Sequence, residues 1–204
     1  IVPAQKHTDV LYVEVEPFSV WVIDASRLKN KEIKLEGVHY TTDLEPFIER
    51  KLFSVNSGHA AVAYSSAYKD YKTILEGLQD EEILNILKAV QKETRALLLA
   101  KWAQYYKQDE LIKYHELIIS RFSNPEIIDE VSRVARTPIR KLGYDERFIR
   151  PIRELNDRKL SYQNHLDIVG KFFAYHDEND AQAIQLQEKL KITELPMLIE
   201  EVTG

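Results

Sequence analysis

Thr42-Asp43-Leu44-Glu45-Pro46-Phe47-Ile48-Glu49-Arg50-Lys51-Leu52 is the stretch where the chain changes period. Thr42 followed three residues later by Glu45 reads as a capping box, in which each side chain satisfies a backbone N–H of the other. Pro46 is tolerated in a first turn, where its missing N–H would have had no partner. Ile48, Leu52, Val55 and Val62 then recur at helical spacing, which predicts one long helix running towards Tyr68. Downstream, the same period predicts helices over Asp80 to Trp102, Asp109 to Phe122, Pro125 to Ala135, Asp145 to Asn156, Tyr162 to Tyr175 and Asp177 to Lys189. Asp80-Glu81-Glu82 places carboxylates at the positive end of a helix dipole. Asn124-Pro125 and Thr137-Pro138 punctuate the middle of the chain.

Upstream the period is that of strands. Val10-Leu11-Tyr12-Val13-Glu14-Val15, Ser19-Val20-Trp21-Val22-Ile23-Asp24 and Gly37-Val38-His39-Tyr40 are rich in β-branched and aromatic residues. Two or three strands alone are marginal, so the expectation is a sheet whose remainder lies elsewhere. The fold class expected is mainly α: a β segment over 1–41 followed by an all-helical domain over 42–204. The chain opens on Ile1 and reads as if it starts inside a fold, which suggests a piece of a longer protein.

Composition narrows the function classes. With 33 acidic against 28 basic side chains the formal net charge is −5, and no basic stripe points to nucleic acid or a membrane surface. No apolar run approaches the roughly 20 residues of a membrane span. The absence of cysteine removes disulfides, thiolate metal sites and cysteine nucleophiles together, and suits a cytoplasmic protein. Six scattered glycines give neither a dinucleotide fingerprint nor a P-loop. The histidines form no His-x-x-x-His pattern, so no metal site is expected.

The residues with chemical promise lie in Lys51-Leu52-Phe53-Ser54-Val55-Asn56-Ser57-Gly58-His59. At about 100° per residue, Asn56 falls roughly 140° and His59 roughly 80° from Lys51, on one side of a helix. Apolar Leu52, Val55 and Val62 share that arc, so the three polar groups would be partly desolvated. A desolvated lysine loses its preference for the ammonium form and can act as a general base. Asn56 and His59 could hydrogen-bond an oxygen on which charge develops, and Gly58 leaves space for a ligand. The same spacing is equally that of solvated or satisfied polar residues on an amphipathic helix.

Lys-x-x-x-x-Asn-x-x-His resembles the signature of the zinc-independent, polyol-specific long-chain dehydrogenases, the mannitol dehydrogenase family. Glu49-Arg50-Lys51-Leu52-Phe53 and Asn56-Ser57-Gly58-His59-Ala60 are similar to its mannitol-1-phosphate branch. So are Glu16-Pro17-Phe18-Ser19-Val20-Trp21-Val22-Ile23-Asp24, Arg121-Phe122-Ser123-Asn124-Pro125 and the run from Arg133 to Leu142. The resemblance implies Lys51 as the base that takes the hydroxyl proton while hydride passes to NAD. It implies Asn56 and His59 as the groups that polarise the oxygen, and Asp24 as a substrate contact. It also implies a Rossmann-like NAD-binding half ahead of Ile1, with the β segment as its tail, and a helical part like the C-terminal domain of 6-phosphogluconate dehydrogenase. The family is often monomeric.

Under that resemblance the substrate pair is D-mannitol 1-phosphate and D-fructose 6-phosphate, both anionic. Arg133 and Lys141 are expected to contact the polyol, and Arg136 or Arg140 to meet the phosphate through a bidentate fork. Arg133 and Arg136 are three apart on a helix that Pro138 ends, and four cations at a helix C-terminus also complement its dipole with no ligand involved. Tyr64, Tyr68 and Tyr71 read as packing aromatics, His165 and His176 as structural, and Glu178-Asn179-Asp180 as a loop and helix cap. The alternatives are an unphosphorylated polyol or sugar-acid dehydrogenase, and a non-catalytic helical module that binds a partner along Asp80 to Trp102.

Overall fold

The computed structural model describes residues 8–9, 11–30 and 32–204. Strands β1 (Trp21–Asp24) and β2 (Val38–Thr41) pair in parallel, with Trp21 opposite Val38 and Asp24 opposite Thr41. A 3-10 turn over Ala25–Arg27 begins the crossover between them. Of the first expected strand, Val10 lies outside the described residues. Residues 11–15 form none, having no strand beside them among the described residues, and Leu11, Tyr12, Val13 and Val15 are exposed.

The long helix forms, but not uniformly. It runs as α1 (Glu45–Arg50), a π-helical stretch over Lys51–Asn56, and α2 (Ser57–Tyr68). Thr42 does not cap it. Asp43 does so instead, its Oδ1 accepting from the Glu45 N–H at 3.0 Å while Thr41 Oγ1 holds the Asp43 backbone. From Ala60 to Ser66 every residue of α2 is buried, the pattern of a helix enclosed on all sides.

Helices α3 (Ile74–Gln79), α4 (Glu81–Trp102) and α5 (Gln108–Phe122) follow. Asp80 caps α4 through the Glu82 N–H at 2.8 Å, and Ile83, Leu87, Val90, Leu97 and Leu98 of α4 turn inward. α6 covers only Val131–Ala135 rather than starting at Pro125. Residues 128–130 are drawn out because the Ile74 N–H donates to the Asp129 carbonyl and the Val131 N–H to the Lys72 carbonyl, both at 2.9 Å. Thr137 then takes a left-handed conformation (φ 57°), and α7 (Pro138–Lys141) starts in a new direction.

α8 (Ile149–Asp157) begins four residues later than expected, after turns over residues 143–148. α9 (Gln163–Ala174) matches its expected span within a residue at each end. α10 (Ala181–Ile192) starts not at Asp177 but after Asp180, whose side chain accepts from the Gln182 N–H. α11 (Leu195–Thr203) was not expected. One apolar cluster surrounds α2 and includes Tyr64, Leu87, Phe148 and Phe172; a second gathers Phe53, Leu97, Leu98, Tyr106, Leu111 and Leu155. Among the described residues, no helix is long and apolar enough to cross a membrane.

Candidate active site

Lys51 stands on the wall of a cavity of about 550 Å³ between the β segment and the helices. Phe18, Val20 and Val22 line one side, and Leu44, Phe47, Ile48, Val55 and Tyr114 the other. Lys51 is exposed rather than half-desolvated, because the helix lies at the surface there. It has no hydrogen-bond or ion-pair partner among the described residues. A second cavity, of about 270 Å³, adjoins the first and shares Val55 and Arg121 with it. His59, Asp129 and Arg133 line this second cavity. Lys51 and His59 therefore line adjoining spaces.

His59 is fixed on two sides. Its ring stacks on Phe122 with centroids 4.5 Å apart, and its Nε2 lies 3.0 Å from Asp129 Oδ2. Asp129 also accepts both arms of Arg133, from Nε at 2.7 Å and Nη2 at 2.6 Å. Burial pushes the Asp129 carboxyl up, but hydrogen bonds from His59 and Arg133 override it and hold the group below the ordinary carboxylate range. Because Asp129 occupies Nε2, the ring nitrogen left for a ligand is Nδ1. Arg121 is likewise committed, forking onto Glu16 at 3.0 and 2.5 Å and stacking over Phe18.

Asn56 is half-buried and lines neither cavity, and Gly58 offers no space to a ligand. A Cβ at Gly58 would sit 3.1 Å from Leu87 Cδ1, so this glycine serves the contact between α2 and α4. Asp24 caps the 3-10 turn, accepting from the Ser26 N–H and Oγ at 2.9 and 2.5 Å, bonds that hold its carboxyl below the usual range. It lies on the same face of β1 as Val22.

The basic block divides. Of its four cations, only Arg133 lines either of these two cavities. Arg136 ends α6 and is exposed, and Arg140 is exposed, its guanidinium meeting Glu146 at 3.1 Å. Lys141 is buried, with its ammonium on the carbonyls of Val134 (2.7 Å) and Arg136. Burial, together with Arg147 and Arg140 nearby, lowers the Lys141 pKa to about 7.

Sequence spacing missed Asp129, Arg121 and Arg50. Asp129 fell inside an expected helix, and its pairing with His59 is long-range. Arg50 sits in the larger cavity beside Lys51, and its place in the quoted motif was the available signal.

The model of the mannitol dehydrogenase C-terminal domain family matches residues 43–198, and the chain belongs to that family. It is 97% identical over 204 residues to the mannitol-1-phosphate 5-dehydrogenase of Lactococcus lactis subsp. lactis, covering all of this chain and 53% of that protein. It is 58% identical to the enzyme of the same name from Streptococcus mutans serotype c, again over 100% and 53%. The chain thus spans about half the length of the curated relatives it matches. Among solved structures, it resembles the Pseudomonas fluorescens mannitol 2-dehydrogenase ternary complex with NAD and D-mannitol. The TM-score is 0.64 at 22% identity, over 81% of this chain and 34% of that one. At that identity the likeness speaks for the fold alone.

Proposed function

We propose that this chain is the substrate-holding and catalytic half of an NAD-dependent mannitol-1-phosphate 5-dehydrogenase, interconverting D-mannitol 1-phosphate and D-fructose 6-phosphate. The observation that carries the reading is the 97% identity, across all 204 residues, to a protein of that name. The site supplies a mechanism. Lys51 Nζ takes the proton from the substrate hydroxyl as the C–O bond becomes a carbonyl, and returns it in the reverse direction. His59, fixed by Asp129 and Phe122, hydrogen-bonds the reacting oxygen through Nδ1. Arg133 holds a polyol hydroxyl from the smaller cavity.

Bound NAD supplies the hydride acceptor. Phe18, Val20 and Val22 form an apolar wall beside Lys51 that fits a flat nicotinamide ring. The described residues offer no glycine-rich cradle for a pyrophosphate, so the rest of the dinucleotide belongs to another part of the protein. Residues 1–41 are assigned to that cofactor-binding half. Parallel sheets are covered on both faces, whereas Trp21 of β1 is 59% exposed here. The reading carries with it a cytoplasmic, monomeric enzyme with no nucleic-acid or membrane partner.

The test follows NADH consumption by the full-length protein with fructose 6-phosphate, fructose and fructuronate, for the parent and for Lys51→Ala. Fructose 6-phosphate is expected to react best, and the substitution to cut its turnover by about 10² to 10⁴-fold. Better turnover of fructose or fructuronate would remove the phosphate from the reading. Undiminished turnover in Lys51→Ala would remove Lys51 as the base.

A further inference from the structure

The larger cavity has an unusual charge. In a chain of net charge −5, its wall carries Arg50, Lys51 and Arg121 and no carboxylate. Arg121 is already neutralised by the Glu16 fork. Arg50 is not. No carboxylate pairs with it among the described residues, and its buried Nε has no acceptor. The nearest acid in sequence, Glu49, is fully engaged with Lys101, Trp102 and Arg150.

What holds Arg50 is aromatic. Its guanidinium lies over the rings of Tyr114 at 4.6 Å, Tyr106 at 5.2 Å and Phe47 at 5.6 Å. Ring faces fix the plane of a guanidinium, and a hydrogen bond to the Tyr114 side chain uses one of its donors and leaves the others free. The result is an oriented, unneutralised fork on the wall of the cavity that holds Lys51. The residues expected to meet a phosphate, Arg136 and Arg140, line neither cavity.

We propose that Arg50 is the phosphate-recognition residue of this site, taking the substrate's phosphate in bidentate geometry while Lys51, its neighbour in the chain, meets the reacting hydroxyl. The inference rests on the sugar-phosphate reading above and names the residue that makes the phosphate preferred. Base and phosphate fork are consecutive on one helix, so the distance between the two ends of an acceptable substrate is set by local helical geometry. A shorter or unphosphorylated polyol reaches Lys51 but leaves the fork empty.

The experiment uses the full-length protein with Arg50→Met, which keeps most of the side-chain bulk, Arg50→Lys, which keeps the charge and loses the fork, and Arg136→Ala and Arg140→Ala. Steady-state kinetics are run with fructose 6-phosphate and free fructose, and inorganic phosphate binding is measured by calorimetry. Arg50→Met is expected to lower kcat/KM for fructose 6-phosphate about a hundredfold, mainly through KM, as loss of a charge-assisted pair of bonds implies. Activity on free fructose should fall far less than activity on fructose 6-phosphate, and phosphate binding should be lost. Arg50→Lys should recover part of both, and it decides the matter if Arg50→Met does not fold. Unchanged KM and phosphate binding in both Arg50 variants would overturn the assignment, as would a larger loss in Arg136→Ala or Arg140→Ala. If the parent turns over no fructose 6-phosphate, the reaction assigned above fails, while phosphate binding by parent and Arg50 variants still decides the role of Arg50.

Discussion

Asp129 shows what a single carboxylate does when it is 7% exposed and accepts from two functional side chains at once. It receives His59 Nε2 and both arms of Arg133, and those donors keep it ionised against the cost of burial. An ionised carboxylate only accepts, so it sets which His59 nitrogen is free and where the Arg133 fork lies. Asp129→Asn presents an amide with one oxygen and two donors, which cannot serve both partners. With the ring no longer held, kcat/KM for the sugar phosphate should fall on the order of a hundredfold, the scale of a misplacement near one ångström. The melting temperature should change little. Parent-like kinetics in a folded Asp129→Asn would reduce Asp129 to a packing role. At this scale Lys51 and His59 were legible because their relation is local to one helix. Asp129 was not, because its pairing depends on Ile74 holding residues 128–130 out of helix.

Among the elements, the π-helical stretch over Lys51–Asn56 decides how the site residues are aimed. A wider turn is held only when the surroundings satisfy its displaced groups, and these do. Thr94 Oγ1 donates to the Phe53 carbonyl at 3.1 Å, and Ser57 Oγ is shared between the Leu52 and Arg147 carbonyls. Buried His115 lies 2.8 Å from Ser54 Oγ through Nε2 and 2.9 Å from Arg95 Nη1 through Nδ1. Arg95 can only donate, so Nδ1 accepts and the ring proton sits on Nε2, facing Ser54. Burial and the Arg95 charge push the His115 pKa down to about 3, which means that the folded protein needs the ring neutral. Unfolded chains take up that proton near pH 6.5 and the folded one does not. Stability is therefore complete above about pH 6.5 and declines as pH falls towards 3, by at most about 1.4 kcal/mol per unit. Denaturant titrations at pH 7, 6 and 5 should show this slope in the parent and a shallower one in His115→Gln. Equal slopes would show that His115 does not set the acid limit. The 100° rule behind the sequence reading has no means of announcing a π turn, whose cause lies in Thr94 and His115 on α4 and α5. The same rule found α4, α5 and α9 nearly to the residue, since each buries one continuous apolar stripe.

At the scale of the whole molecule, the division between β segment and helices was legible from the change of period at Thr42. The missing information was how weakly the two parts depend on each other. Among the described residues, neither apolar cluster contains one before Leu52. The β segment meets the helices through the Glu16–Arg121 fork, whose side chains are 18% and 21% exposed, through Phe18 beneath Arg121, and through His39 against Phe47. A partly exposed ion pair contributes roughly 1 kcal/mol or less. A chain beginning at residue 43 should therefore keep its far-UV helical signal and a single cooperative melt. Its Tm should drop by only about 2–4 °C per kcal/mol lost. The larger cavity, however, loses Phe18, Ser19, Val20 and Val22 from its wall. Phosphate binding at Arg50, whose aromatic cage lies wholly after residue 43, should persist in this shortened chain. Loss of the cooperative melt would instead make the β segment an integral part of the helical fold and move the domain boundary away from residue 41.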